Sequence, residues 1–165
     1  MTREEFAVRT NEIKIKLFKT AMLYLGNEHD ALEAVDEAVY RGLCAAKKLK
    51  QPEYFDTWLT RIMINECYKI MRNQKREELP GTMPELSQED YDRLPLKEAV
   101  SALPEELRSV IVLRFFGGFT IAETARILGV PQGTAATRQR KALGLLRLAL
   151  NDDNGEKEAD HGLQR

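Results

Sequence analysis

Apolar residues recur at helical spacing in one segment after another, and they divide the chain into helices. Ile13, Leu17, Phe18, Ala21, Met22 and Leu25 form a stripe that predicts a helix over 5–26, closed by Gly26 and Asn27. A second helix is predicted over 30–48, with Ala31, Ala34, Val35, Ala38, Val39, Leu43 and Ala46 on one face. Its small residues allow a neighbouring helix to approach closely. After the break at Lys50-Gln51-Pro52, Phe55, Trp58, Leu59, Ile62, Met63 and Ile70 predict a third helix over 53–74. The stretch from Glu77 to Leu94 has few apolar residues and carries Pro80, Gly81, Pro84, Ser87 and Gln88, so it reads as a flexible linker. A short helix follows over 96–103. Pro104-Glu105-Glu106 then restarts a helix that runs to Gly117-Gly118, with proline and acids at its positive end.

The most informative stretch is Thr120 to Leu150. Ile121, Ala122, Ala125 and Leu128 give its first helix an apolar face, and Gly129 stands where that helix must stop. Val130 plugs the turn and Pro131 opens the next helix. That helix carries Arg138, Arg140, Lys141 and Arg147 with no acid between Pro131 and Leu150. A plain helical hairpin with a solvated basic face would share the charge. The coincidence of apolar spacing, a turn glycine and a basic second helix favours a DNA-binding helix-turn-helix. After Asn151 the tail is acidic and hydrophilic and is expected to be disordered.

The expected fold is therefore all-α. Two small helical domains, over 1–76 and 95–150, are joined by a linker over 77–94 and followed by an acidic tail over 151–165. Charge changes the picture by its distribution. Lys plus Arg number 25 and Asp plus Glu 26, so net charge excludes nothing. Arg61, Lys69, Arg72, Lys75 and Arg76 cluster on the third helix against Glu66 alone. This cluster and the basic second helix of the motif suggest two nucleic-acid surfaces, set apart by acidic stretches. Trp58 reads as a core anchor ahead of a base-stacking ring. Asn65 and Tyr68 stand among the cations, a mixture suited to a phosphate track with bases beside it. Cys44 and Cys67 match no metal or redox spacing and are expected to be buried thiols in a reducing cytoplasm. No run spans a membrane, no signal-peptide pattern opens the chain, and no catalytic, phosphate-loop or metal motif occurs. Neither an enzyme nor a cofactor is expected.

These residues resemble the bacterial extracytoplasmic-function sigma factors, two-domain RNA polymerase subunits of the sigma-70 superfamily. The segment LPEELRSVIVLRFFGGFTIAETARILGVPQGT, Leu103 to Thr134, is similar in spacing and residue type to the family's region four. The segments from Asp30 to Leu43 and from Phe55 to Arg76 are similar to region two.

The resemblance implies a function: binding core polymerase and directing promoter recognition and transcription initiation. It implies roles position by position. Glu33, Asp36, Glu37 and Tyr40 would meet the polymerase clamp helices, although the family usually has Gln at Asp36. The segment from Lys50 to Asn65 would capture an unpaired base of the minus-ten element. Arg61, Asn65, Lys69, Arg72 and Arg76 would face promoter phosphate and melted strand. The helix from Pro104 to Phe116, with Arg114, would bind the polymerase flap. Thr120, Thr134, Thr137, Arg138, Arg140 and Lys141 would contact the minus-thirty-five element. An anti-sigma protein, often membrane-anchored, is the further partner implied. Ala136 stands where the family usually has Lys or Arg, and Gln139 where a bulky apolar residue is common. The first weakens DNA contact and the second loosens the packing of the reading helix. The rival readings are a dimeric helix-turn-helix regulator acting without polymerase, and an interaction module that touches no DNA.

Overall fold

The structure is a computed structural model that describes the backbone of residues 1–77 and 94–161, and the side chains of 1–75 and 95–151. The expected linker lies almost wholly outside the described residues, and so does the side chain of Arg76. Among the described residues every regular element is helical.

Helix α1 spans Arg3–Leu25 and α2 spans Glu28–Ala45. Thr2 caps α1 in a reciprocal box with Glu5, and Asn27 caps α2. Two 3₁₀ turns, Ala46–Lys48 and Pro52–Tyr54, lead to α3, Phe55–Glu77. Proline at the start of the second turn delays the α-helix to Phe55. Helix α4 covers Leu94–Ala102 and α5 covers Glu105–Ile111. The expected single helix up to Gly117 widens into a π turn at Val112–Phe116, where the Gly117 amide bonds back to the Val112 carbonyl at 2.8 Å. Then come α6, Ile121–Leu128, and α7, Gln132–His161. Helix α7 continues well past residue 150, which corrects the expectation of a disordered tail. Glu156-Lys157-Glu158-Ala159 are strong helix formers, and no proline stops them.

Helices α1, α2 and α3 pack together, and α4 to α7 form a second group. The two groups also touch, because α3 lies against α6, and α1 lies against α4 and the π turn. One buried apolar cluster runs through both, from Phe6, Leu17, Phe55 and Met63 to Val100, Leu113, Phe119 and Ala142.

Some side chains depart from the sequence expectation. Cys67 is fully buried, and burial pushes its thiol up to about 12. Cys44 is exposed, so it is not the buried thiol expected. Gly42 takes the inward place beside Phe6 and Leu59, and Leu43 turns outward. In α6, Thr124 and Ile127 are buried and Ala122 faces solvent, which shifts the apolar stripe from the one expected.

Candidate nucleic-acid and polymerase interfaces

The helix-turn-helix is built by local chemistry. Thr120 caps α6: its Oγ1 accepts from the Glu123 amide at 3.2 Å, and the Glu123 carboxylate accepts from the Thr120 amide at 2.7 Å. That backbone hydrogen bond holds the Glu123 carboxyl below its usual range. Thr120 is thus committed to the cap, which limits it as a DNA contact. Gly129 closes α6 at φ +67°, a left-handed conformation in which its amide reaches the Ala125 carbonyl.

Helix α7 buries Ala135, Ala142 and Leu146. Thr137, Arg140, Lys141, Gly144 and Arg147 are exposed on its other side. The Thr137 hydroxyl donates to the Gly133 carbonyl at 2.9 Å, and Thr134 is half-buried at the start of the same face. Arg138 is set apart from this exposed group. Its side chain is 23% exposed and pairs with Glu106 of α5 at 3.1 Å. Gln139 does not loosen the helix as expected, because its Oε1 accepts from Arg114 Nε at 3.0 Å. Arg114 Nη1 also donates to the Phe119 carbonyl at 2.6 Å. Arg114 therefore ties α7 to the turn ahead of α6, while Phe115 and Phe116 beside it are exposed. Those two exposed rings form an apolar patch that the charge pattern of the sequence does not reveal.

On α3, Arg61, Asn65, Lys69 and Arg72 are all exposed at three- and four-residue intervals, so they share one side. The fold divides three of them between two recesses. Lys69 borders a groove of about 740 Å³ together with Glu33, Asp36, Glu37 and Tyr40. At its floor the buried Glu66 pairs with Arg41 at 3.1 Å and Lys69 at 3.6 Å. Arg41 also bonds Glu37 at 2.6 Å, and that hydrogen bond raises its pKa. Tyr40 is 65% exposed at the rim. Lys69 therefore sits with the acids expected to meet polymerase. Arg61 and Asn65 instead line a smaller cleft of about 240 Å³, shared with Tyr68, Glu105, Ser109 and Arg138. Trp58 is half-buried beside Phe55, their ring centroids 6.0 Å apart, as a core anchor would be.

His29, Asp30 and Glu33 place possible ligand atoms within 4.8 Å of one another. Asp30 is already engaged, accepting from Asn27 at 2.6 Å and from Gln74.

Two family models match the chain: Sigma-70 region 2 over residues 12–77, and Sigma-70, region 4, over residues 99–148. An RNA polymerase sigma-E factor of Streptomyces antibioticus is 32% identical over 124 residues, covering 72% of this chain and 69% of that protein. The RNA polymerase sigma factor SigV of Bacillus subtilis (strain 168) is 28% identical over 146 residues, covering 86% of this chain and 88% of that protein. Two solved structures share the fold. One is CnrH in complex with the cytosolic domain of CnrY, with a TM-score of 0.77 and 20% identity, over 92% of this chain and 91% of that one. The other is the sigma factor RpoE in complex with the anti-sigma factor NepR from Bartonella quintana, with a TM-score of 0.73 and 22% identity, over 90% and 98%. With both sigma-70 regions matched in order, this chain belongs to the extracytoplasmic-function RNA polymerase sigma factors.

Proposed function

We propose that this sigma factor divides promoter recognition between its two helical groups. In this reading the groups are domains over 1–76 and 95–150. The exposed face of α7 reads the minus-thirty-five element, and the observation that carries this is the placement of Thr137, Arg140 and Lys141 opposite buried Ala135, Ala142 and Leu146. Arg140 and Lys141 supply guanine-edge or phosphate contacts. The Thr137 hydroxyl is occupied by Gly133, so its methyl group is the part offered to a base. Arg61 and Asn65 handle the minus-ten strand, with Arg72 and Arg76 beside them on α3. The groove bordered by Glu33, Asp36, Glu37, Tyr40 and Lys69 receives a basic surface of core polymerase. The exposed Phe115 and Phe116 give the α5 segment an apolar contact for the flap, with Arg114 holding their turn in place.

The work is binding and strand separation in the cytoplasm, with no bond chemistry. Two neighbours in fold were solved with partner proteins, CnrY and the anti-sigma factor NepR. An anti-sigma protein is accordingly the inhibitory partner proposed here.

Run-off transcription on genomic fragments with core polymerase tests the reading. The chain should program initiation at discrete sites, and Arg140→Ala should weaken their use. Nanomolar, sequence-specific binding at physiological salt without polymerase would favour a free-standing regulator instead.

A further inference from the structure

Helix α7 carries a charge pattern that one helix alone does not satisfy. Its first part, up to Leu150, holds Arg138, Arg140, Lys141 and Arg147 and no acid. The part from Asn151 onward holds Asp152, Asp153, Glu156, Glu158 and Asp160 against Lys157 alone. Asp152, Glu156 and Asp160 follow at four-residue intervals, where like charges repel. Glu158 and Asp160 also fall in the last turn, at the negative pole of the helix, where acids are unfavourable. Among the described residues, Arg138 is the one cation of the basic half that is paired, with Glu106.

The apolar positions of the helix are also only partly used. Ala135, Ala142 and Leu146 face the core, whereas Leu148 is 62% exposed and Leu145 40% exposed. Positions 141, 145, 148 and 152 follow at intervals of four, three and four, so the helical register lines them up in one seam beside the buried stripe. That spacing is the one with which two helices interlock side by side. The seam reads Lys141, Leu145, Leu148, Asp152, and it is complementary to itself when reversed: acid meets lysine, leucine meets leucine, and lysine meets acid. Gly144 stands beside it, where a Cβ would have nothing within 4 Å, so a second helix can come close.

We propose that the seam receives a second copy of this chain: two α7 helices pair antiparallel about a twofold axis between positions 146 and 147, Leu145 of each on Leu148 of the other, with the basic half of each along the acidic half of its mate. A twofold interface needs a patch that complements itself, and this seam does. Antiparallel pairing also sets the two helix dipoles head to tail. Four leucines in a charged surround make a small interface, so the dimer is weak, reversible and salt-sensitive. Lys141 lies within the seam, and on its assignment to DNA above, pairing and promoter binding exclude each other.

The test is sedimentation equilibrium of the full chain, without polymerase or DNA and with a reducing agent, because Cys44 is exposed. At low salt the chain should pass from monomer to dimer as its concentration rises, and added salt should weaken the dimer. Lys141→Glu and Asp152→Lys, each on its own, should weaken pairing about ten-fold, because like charges then meet at both ends of the seam. An equimolar mixture of the two variants should dimerise again, since every contact between unlike copies is then acid to base. Neither change removes a core side chain, so circular dichroism should stay helical. A monomer at every concentration would overturn the proposal. So would a dimer indifferent to both substitutions, or a mixture that fails to recover. A chain that stays monomeric alone but loses core polymerase on Leu148→Glu would assign the seam to polymerase instead. Failure of the unmodified chain to bind core polymerase would count against the functional assignment and leave the dimer standing.

Discussion

Gln139 shows what a single residue concealed. Its place on the inward stripe of α7 was legible from periodicity, and a polar side chain there read as a packing defect. Its partner, Arg114, lies 25 residues away on another element, and spacing along one helix carries no information about that. Gln139→Leu should therefore destabilise the protein, by about 1–3 kcal/mol, because a half-buried guanidinium loses its acceptor. Urea unfolding of the two proteins measures this, and a stabilised variant would mean that apolar packing outweighs the hydrogen bond. Gly117 is a second such position. A Cβ there would lie 2.8 Å from the Leu113 carbonyl oxygen and 2.9 Å from the Phe119 ring. Gly117→Ala should cost about 1–3 kcal/mol, since a backbone atom cannot give way as a side-chain end can. A midpoint unchanged in the same urea experiment would show that the turn relaxes freely.

Elements were legible where their chemistry is local. Turn glycines, a helix-opening proline and apolar spacing located α1, α2, α6 and the start of α7 to within a few residues. The π turn was not legible, because no turn residue or break in apolar spacing marks the widening at Val112–Phe116. Cys44 and Ala122 were misplaced for a related reason: a stripe tells which face is apolar, but the neighbouring helix decides how much of it is covered. Four predictions belong at this scale. Thr120→Ala removes the cap of α6 and should cost about 1 kcal/mol. The Glu123 carboxyl is held low in the folded chain, so its contribution is present above the normal carboxylate pKa and is lost as pH falls through the lowered one. In Glu123→Gln the acid-side loss of stability should be shallower, as thermal melts across the acidic range would show. For α7, Arg140→Ala should cost about 1–3 kcal/mol of promoter binding and relax preference at one or two positions. Lys141→Ala should weaken all sequences alike and reduce the salt slope. Holoenzyme binding to a base-substitution series at two salt concentrations separates the two.

At the scale of the molecule, both helical groups could be read from the sequence, but their mutual packing could not. The contacts of α1 with the π turn and of α3 with α6 join segments far apart in the chain, and each uses side chains that local pattern assigns to surface or to a private core. No pattern in the sequence marks Lys16 as a contact residue, yet it lies over Phe119. With one apolar cluster running through both groups, unfolding should be a single cooperative transition, with calorimetric and van't Hoff enthalpies in agreement. Two resolved transitions would mean that the groups melt independently.

The shared apolar cluster also sets a lifetime. When the groups part, residues at their junction such as Phe119 and Val100 lose cover on one side, and exposed apolar surface invites chaperones and proteases. Loosening that junction should therefore show as susceptibility before it shows as lost helix: Val100→Ala, at a fully buried position, should be cut faster by added protease than the unmodified chain, and equal cleavage rates would mean that the junction stays covered.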